Sequence, residues 1–494
     1  MPKTYAEIND RIKQGSAFVL TAEEMKKYVE ENGVAKAAKD VDVVTTGTFG
    51  AMCSSGAFLN FGHSDPPIKA EHVWLNGVHA YHGNAAVDCY IGVTRMSDYA
   101  PFVYGGGHVI EDFVRGKEVE LHANSYGTDC YPRTELETYI TLADLNQAIL
   151  CNPRNGYQRY NVATNTTDKT LFTYMGKLLP RCGNATYSGA GSIAPLMNDP
   201  DYETIGLGTR IFLGGGIGYV IGEGTQHNPK NGFGTLFVKG DLKQMHPEYL
   251  AAAAFTKYGT SLFVGLGIPI PILNENLAKK TAIKDTEIFT SVLDYGVPRR
   301  DRPILATVSY ADLKSGTIIV QGKEVPVSSM SSLQKARQIA LKLKEWIEKG
   351  KFFITAPVET LPRDTEFRPM KVTSEIKFVS GFMSPTATCT LKESITEVAD
   401  KIVKNDQDHM PVVDENNTLI GIVTTFDLTR ALATGTQNLA DIITRKVITT
   451  TPDEPLSVAS RKMKENSISA LPVVNSKNKV LGIITSGDVL QRGE

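Results

Sequence analysis

Cys130 stands in Asn124-Ser125-Tyr126-Gly127-Thr128-Asp129-Cys130-Tyr131-Pro132-Arg133, with a cation three residues on and Thr134-x-x-Glu137 directly behind it. That last spacing is a capping-box signature and predicts a helix carrying Leu136 and Ile140. A helix N-terminus and a nearby guanidinium both favour the thiolate, the nucleophilic form of cysteine. Cys53 lies in Gly50-Ala51-Met52-Cys53-Ser54-Ser55-Gly56, a loop of small residues that can bring a thiol to a pocket. Cys130, Cys53 and Arg133 are therefore the candidate catalytic residues. Cys89, Cys151, Cys182 and Cys389 lack such a setting and read as small buried hydrophobes.

Two other clusters invite chemistry. Leu213-Gly214-Gly215-Gly216-Ile217-Gly218 follows a strand-like run, and Thr225-Gln226-His227-Asn228-Pro229 comes soon after. Backbone amides there can cradle an anion, or the glycines can simply make a turn. The segment lacks Gly-Lys-Ser/Thr and is not a well-placed Gly-x-Gly-x-x-Gly, so neither nucleotide fingerprint is met. His79, His82 and His108 suggest a metal, but no acidic residue completes a spacing such as His-Glu-x-x-His, and no metal site is expected.

The elements that must position these residues are partly legible. Thr21-x-x-Glu24 opens one helix, and Ser331-x-x-Gln334 opens another through Leu333, Ala336, Ile339, Ala340, Leu343 and Ile347, closed by Gly350. Val41–Val44 and Arg210–Leu213 read as strands. Eight of the nine histidines fall between His63 and His246, and glycine is dense over the same stretch. The body, residues 1–356, is thus a large glycine-rich α/β domain whose topology the spacing does not define. Residues 357–380 hold three prolines and no periodicity, as a linker does.

Behind the linker the chain repeats itself. Thr390–Leu428 aligns without a gap on Thr451–Val489, and Gly421 recurs as Gly482, 61 residues on. Each copy reads as a helix, two strands split by an Asn-rich turn, and a second helix opened by Asp427 or Asp488. One sheet face of such a unit stays unburied alone, so the copies are expected to pack together. The shared skeleton, hydrophobe-Pro-Val-Val followed by Gly-Ile-x-Thr-x-x-Asp, resembles a CBS-domain pair, the two β-α-β-β-α units spanning 381–435 and 436–494. The resemblance implies a ligand cleft in which Thr424, Asp427, Thr485 and Asp488 hold S-adenosylmethionine or an adenine nucleotide. Helix capping is the plainer role of the same residues.

Composition narrows the class. The 494 residues are 41% hydrophobic and 21% charged, with a formal charge of −2, as for a soluble globular chain of two or three domains. There is no basic footprint for nucleic acid. No apolar run is long enough for a membrane span, and no signal peptide is indicated. Six scattered cysteines without a Cys-x-x-Cys pair fit the reducing cytoplasm.

Long segments then match a family in order. VDVVTTGTFGAMCSSGAFLNFGHSDPPIK, GTDCYPR and GTRIFLGGGIGYVIGEGTQHNP, followed by the CBS-like pair, resemble the homocysteine-biosynthesis family of L-aspartate semialdehyde sulfurtransferases. The resemblance implies conversion of aspartate semialdehyde to homocysteine, with sulfur carried as a persulfide on Cys130 and Cys53 as the second motif thiol. It also implies a separate ferredoxin-type iron–sulfur protein as electron donor, with no cofactor held tightly by this chain, and a small-molecule sulfur donor. Replacing an aldehyde oxygen by sulfur needs a sulfur nucleophile and two electrons. Arg133, Arg210 and glycine-rich amides are candidates for the substrate carboxylate, and Asp129 or Glu223 for its ammonium. CBS pairs associate face to face, which implies a homodimer. Two rival readings are another CBS-regulated cysteine enzyme, such as a nucleotide dehydrogenase, and a non-catalytic adenosyl-ligand sensor.

Overall fold

The computed structural model describes residues 2–298, 301–370 and 377–492, in two compact units divided after Arg368. The first unit is mixed α/β and dominated by antiparallel sheet. Its largest sheet has nine strands, with Gly259–Gly267 paired both to Arg210–Leu213 and, off the main path, to Thr48–Ala51. The same sheet runs on through Gln147–Asn155 to Gly56–Asn60. Cys53 lies in the short turn between Thr48–Ala51 and Gly56–Asn60, so two strand pairings hold the thiol's loop at both ends.

The helix Leu333–Glu348 covers this sheet. Ala336, Ile339, Ala340, Leu343 and Ile347 are its buried stripe, at the three- and four-residue spacing read from sequence. It seats closely because the sheet presents glycine: a Cβ on Gly267 would stand 2.9 Å from Ile339 Cγ2 and 3.0 Å from the Thr46 carbonyl. Gly350 follows in the left-handed region, at φ +66°. The cap itself shifts by one residue. Ser332 accepts from the Lys335 amide, while Ser331 Oγ accepts from the Gly189 amide. The Thr21/Glu24 capping box forms as read.

One sequence expectation is overturned, one open reading is decided, and the start of the linker segment takes a definite place. Glu135–Ile140 is a strand, paired in register with Val119–Asn124, and no helix follows Cys130. Leu136 and Ile140 are four residues apart, a spacing that a helical stripe and one face of a strand both satisfy; the sheet partner decides. Gly214 and Gly215, at φ +59° and +97°, form the tight turn joining Arg210–Leu213 to Gly216–Glu223, so the triple glycine is structural. The segment read as a linker stays on the first unit at its start: Glu359–Thr360 pairs with Gly206–Leu207, and Leu361 is buried. Buried His227 meets the Pro362 carbonyl through Nε2 at 3.0 Å. Residues 371–376 of that segment lie outside the described residues.

In the second unit the copies are near replicas. His409–Val413 pairs with Leu419–Thr424, and Ala470–Val474 with Val480–Thr485, each antiparallel with an irregularity at the same point. Asn417 and Asn478, both left-handed in the turns, reach across to the other copy. Asn417 Nδ2 donates to Val480 O at 3.0 Å, and Asn478 Nδ2 to Leu419 O at 3.1 Å. Val413, Leu419, Val474 and Val480 form an apolar cluster at that junction. The faces that one copy leaves open are thus closed by the other, as the repeat requires.

Candidate active site

Cys53 borders a cavity of about 300 Å³ lined also by Arg154, Tyr157, Tyr160, Tyr174 and Tyr258. Its Sγ is 3.2 Å from the Ser261 hydroxyl on Gly259–Gly267. Burial pushes the Cys53 thiol up from its ordinary range, against a smaller downward pull from Ser261 and from the Arg154 guanidinium. Arg154 lies near the end of Gln147–Asn155, where the ladder to Leu236–Asp241 is irregular between Asn152 and Asn155. Its Nε donates to Thr225 Oγ1 at 3.1 Å and its Nη1 to Gln226 Oε1 at 2.7 Å, which fixes the guanidinium plane. Nη2 has no partner among the described residues. A half-buried thiol, a held guanidinium and several phenols are the parts needed to bind a small anionic carbonyl compound and attack it.

The second thiol sits elsewhere on the same unit. Cys130 is exposed in the loop between Val119–Asn124 and Glu135–Ile140, with Thr128 Oγ1 3.5 Å from its sulfur. It is not among the residues lining the Cys53 cavity. Arg133 does not serve it: Nε donates to Pro66 O at 3.0 Å and Nη2 to Asp65 O at 2.7 Å, tying two loops together. Neither support expected for a Cys130 thiolate, the helix end or the guanidinium, is in place. The cation nearby is Lys69. Its hydrogen bond to Tyr126, 3.2 Å long, raises its pKa, and Cys130 adds a smaller effect.

Other sequence candidates fall away from the cavity. The Arg210 guanidinium lies over the Phe352 ring, 5.0 Å from its centroid. Neither Asp129 nor Glu223 lines the cavity. His79 and His82 gather with His72, whose Nδ1 is 3.3 Å from His79 Nε2, whereas His108 stacks on Tyr104. Among the described residues, no group of three or more His, Cys, Asp or Glu is placed to hold a metal ion. Arg154 and the tyrosines went unread in sequence. The turn-forming run Cys151-Asn152-Pro153-Arg154-Asn155-Gly156 was their one signal.

A family model described as homocysteine biosynthesis enzyme, sulfur-incorporation, matches residues 17–354, the stretch that holds both thiols and the cavity. The chain belongs to this family. Two relatives named L-aspartate semialdehyde sulfurtransferase, from Methanosarcina acetivorans and Methanocaldococcus jannaschii, are each 53% identical to it. Each match covers 99% of this chain and 98% of the relative. This homocysteine biosynthesis enzyme also carries two CBS domains, matched at 379–434 and 439–493. A solved CBS-domain pair with 5′-methylthioadenosine and S-adenosyl-L-methionine bound is 38% identical over 24% of the chain and 97% of that pair, with a TM-score of 0.24. Membership in a family of sulfur-incorporating enzymes sets aside the nucleotide-dehydrogenase and non-catalytic readings.

Among the described residues of the CBS unit, two clefts lie beside the repeated Thr/Asp motifs. One, of about 280 Å³, is lined by Thr424, His409, Thr444 and Lys446, and the other, of about 490 Å³, by Thr485, Asp488, Asp406 and Asp408. Both Thr/Asp pairs also make capping boxes. Thr424 and Thr485 hydroxyls each donate to the partner carboxylate at 2.7 Å, and each Asp amide donates back at 3.2 Å. Thr424, Thr485 and Asp488 line these clefts, whereas Asp427 lines neither and has its Oδ1 3.5 Å from Arg430 Nη2.

No helix among the described residues is long and apolar enough to cross a membrane.

Proposed function

We propose that the enzyme converts L-aspartate semialdehyde to L-homocysteine, carrying sulfur as a cysteine persulfide and taking electrons from a separate ferredoxin-type iron–sulfur protein. The observation that carries this reading is the cavity in which the Cys53 thiol and the Arg154 guanidinium occur together. The substrate is a four-carbon amino-acid aldehyde, so it brings a carboxylate for Arg154 and an electrophilic carbon for sulfur. At about 300 Å³ the space suits a ligand of that size. The names of the two 53%-identical relatives support the same substrate.

The stoichiometry explains the partner. Aldehyde, sulfur at the sulfide level, two electrons and two protons give the thiol and water. A persulfide sulfur takes two more of each, and its cysteine returns as a thiol. Cys130, exposed on its loop, is the thiol open to a sulfur donor, and Cys53 is the thiol at the aldehyde. Arg133 holds the Cys130 loop against residues 65–67 instead of touching substrate.

The remaining parts follow the same reading. Residues 1–356 form the catalytic domain, 357–380 the connection, and 381–435 and 436–494 the CBS domains. Thr424, Asp427, Thr485 and Asp488 grip an adenosyl ligand, S-adenosylmethionine or an adenine nucleotide, and the CBS pair joins two chains as a homodimer. A cytoplasmic location accords with six free cysteines.

Mass measurement of the intact protein after treatment with a small-molecule persulfide, which hands its outer sulfur to a thiol and leaves as a thiol itself, tests the carrier step. An increment of about 32 Da on Cys130, one sulfur atom, is expected and is lost in Cys130→Ser. Sulfur mapped only to another cysteine would reassign the carrier.

A further inference from the structure

Three phenols beside Cys53 are joined hydroxyl to hydroxyl. Tyr160 and Tyr174 both line the cavity and their hydroxyl oxygens are 2.9 Å apart. Tyr174 is in turn 2.7 Å from the hydroxyl of buried Tyr295, and Asn161 Nδ2 donates to Tyr295 at 3.0 Å. Such a chain has a direction. Asn161 Nδ2 can only donate, and in the order in which each phenol accepts one bond and passes one on, Tyr295 points its proton at Tyr174. Tyr174 then points its proton at Tyr160. The Tyr160 hydroxyl is left with two properties: its proton has no acceptor among the described residues, and its oxygen is stabilised by a donor when that proton departs.

The chemistry next to it needs that proton. The aldehyde oxygen leaves as water, so it must be protonated as carbon–sulfur bonding replaces carbon–oxygen bonding. Resting on the reading of the Cys53 cavity as the aldehyde site, we infer that Tyr160 is a further catalytic residue, the acid that protonates the aldehyde oxygen, with Tyr174, Tyr295 and Asn161 as positioning residues that orient it. The step is a proton transfer alone: the Tyr160 O–H bond breaks, an O–H bond forms on the substrate oxygen, and the phenolate is held by the Tyr174 hydroxyl. The proton is restored from water; Tyr160 also lines a neighbouring cavity of about 420 Å³. Burial raises the pKa of Tyr160, Tyr174 and Tyr295, so each is a phenol at neutral pH and can donate. Hydrogen bonds received from Tyr174 by Tyr160, and from Tyr295 by Tyr174, pull in the opposite direction. Cooperative chains of this kind strengthen each member's bond.

Kinetics on the full-length enzyme with L-aspartate semialdehyde, sulfide and a reduced electron donor test this, comparing Tyr160→Phe, Tyr174→Phe and Cys53→Ser. Loss of a general acid lowers kcat by on the order of 10²-fold. Tyr160→Phe is expected to show that fall with KM within about twofold, and Tyr174→Phe, which keeps the acid and removes its support, a fall of about tenfold. Phe retains the ring, so packing is largely kept. If Tyr160→Phe does not fold by circular dichroism, Tyr174→Phe decides alone. A kcat within threefold of wild type in the folded variant, or a rise in KM with kcat unchanged, overturns the assignment. Cys53→Ser separates the two claims. An inactive Cys53→Ser with a fully active Tyr160→Phe removes only the acid; a fully active Cys53→Ser removes the cavity as the site.

Discussion

Cys53 Sγ and Ser261 Oγ meet at 3.2 Å, one from the loop after Thr48–Ala51 and the other from the strand paired to it. Ser261 is fully buried, so the contact is built into the sheet. Burial raises the thiol's pKa and the Ser261 bond lowers it, so removing the hydroxyl must raise it further. The reactive form is the thiolate, and its fraction grows with pH. In Ser261→Ala the ascending limb of kcat/KM against pH is expected to move to higher pH, with activity at neutral pH down several-fold. An unmoved limb would mean that Ser261 does not tune the thiol.

Arg154 presents a held guanidinium to the same space. A hydrogen bond to a charged group contributes about 2 kcal/mol, or about 30-fold in an equilibrium. Arg154→Met should lower kcat/KM for aspartate semialdehyde by about that factor. A simple aldehyde lacking the carboxylate should lose much less. Equal losses for both substrates would place the carboxylate elsewhere.

The seating of Leu333–Glu348 on the sheet depends on glycine at 267. Gly267→Val puts a branched side chain against Ile339 and the Thr46 carbonyl, at about 1–3 kcal/mol for overpacking. Thermal unfolding should shift down by a few degrees. An unchanged melting temperature would contradict the close helix–sheet contact.

In the CBS unit, Asp427 and Asp488 are proposed to cap and to bind. Alanine at either position should cost about 1 kcal/mol of helix stability through the lost box. It should also weaken S-adenosylmethionine or adenine-nucleotide binding to the full chain, by calorimetry, by about tenfold. A lowered melting point with unchanged affinity would leave only the cap.

What was legible followed local rules. Thr21/Glu24 and the stripe from Ala336 to Ile347 were read because a cap and a helical period are contained within a few residues. The 61-residue repeat marked both CBS copies, down to the Asn turns that join them. The cavity was not legible. Cys53, Arg154 and Tyr258 come from segments brought together by long-range antiparallel pairing and Tyr174 from the turn of a separate hairpin, which leaves no spacing to read. Cys130 shows the converse. Arg133 is three residues away in sequence but spends its donors on Asp65 and Pro66, while Lys69 is the cation nearby.

The most direct measurement is homocysteine formation by the full-length enzyme from L-aspartate semialdehyde, a sulfide source and a reduced iron–sulfur donor, with Cys53→Ser alongside. Wild type is expected to form homocysteine, and the variant, folded by circular dichroism, to lose at least about 10³-fold, as for removal of a reacting nucleophile. Turnover by Cys53→Ser close to wild type, or no homocysteine from wild type, would contradict the assignment.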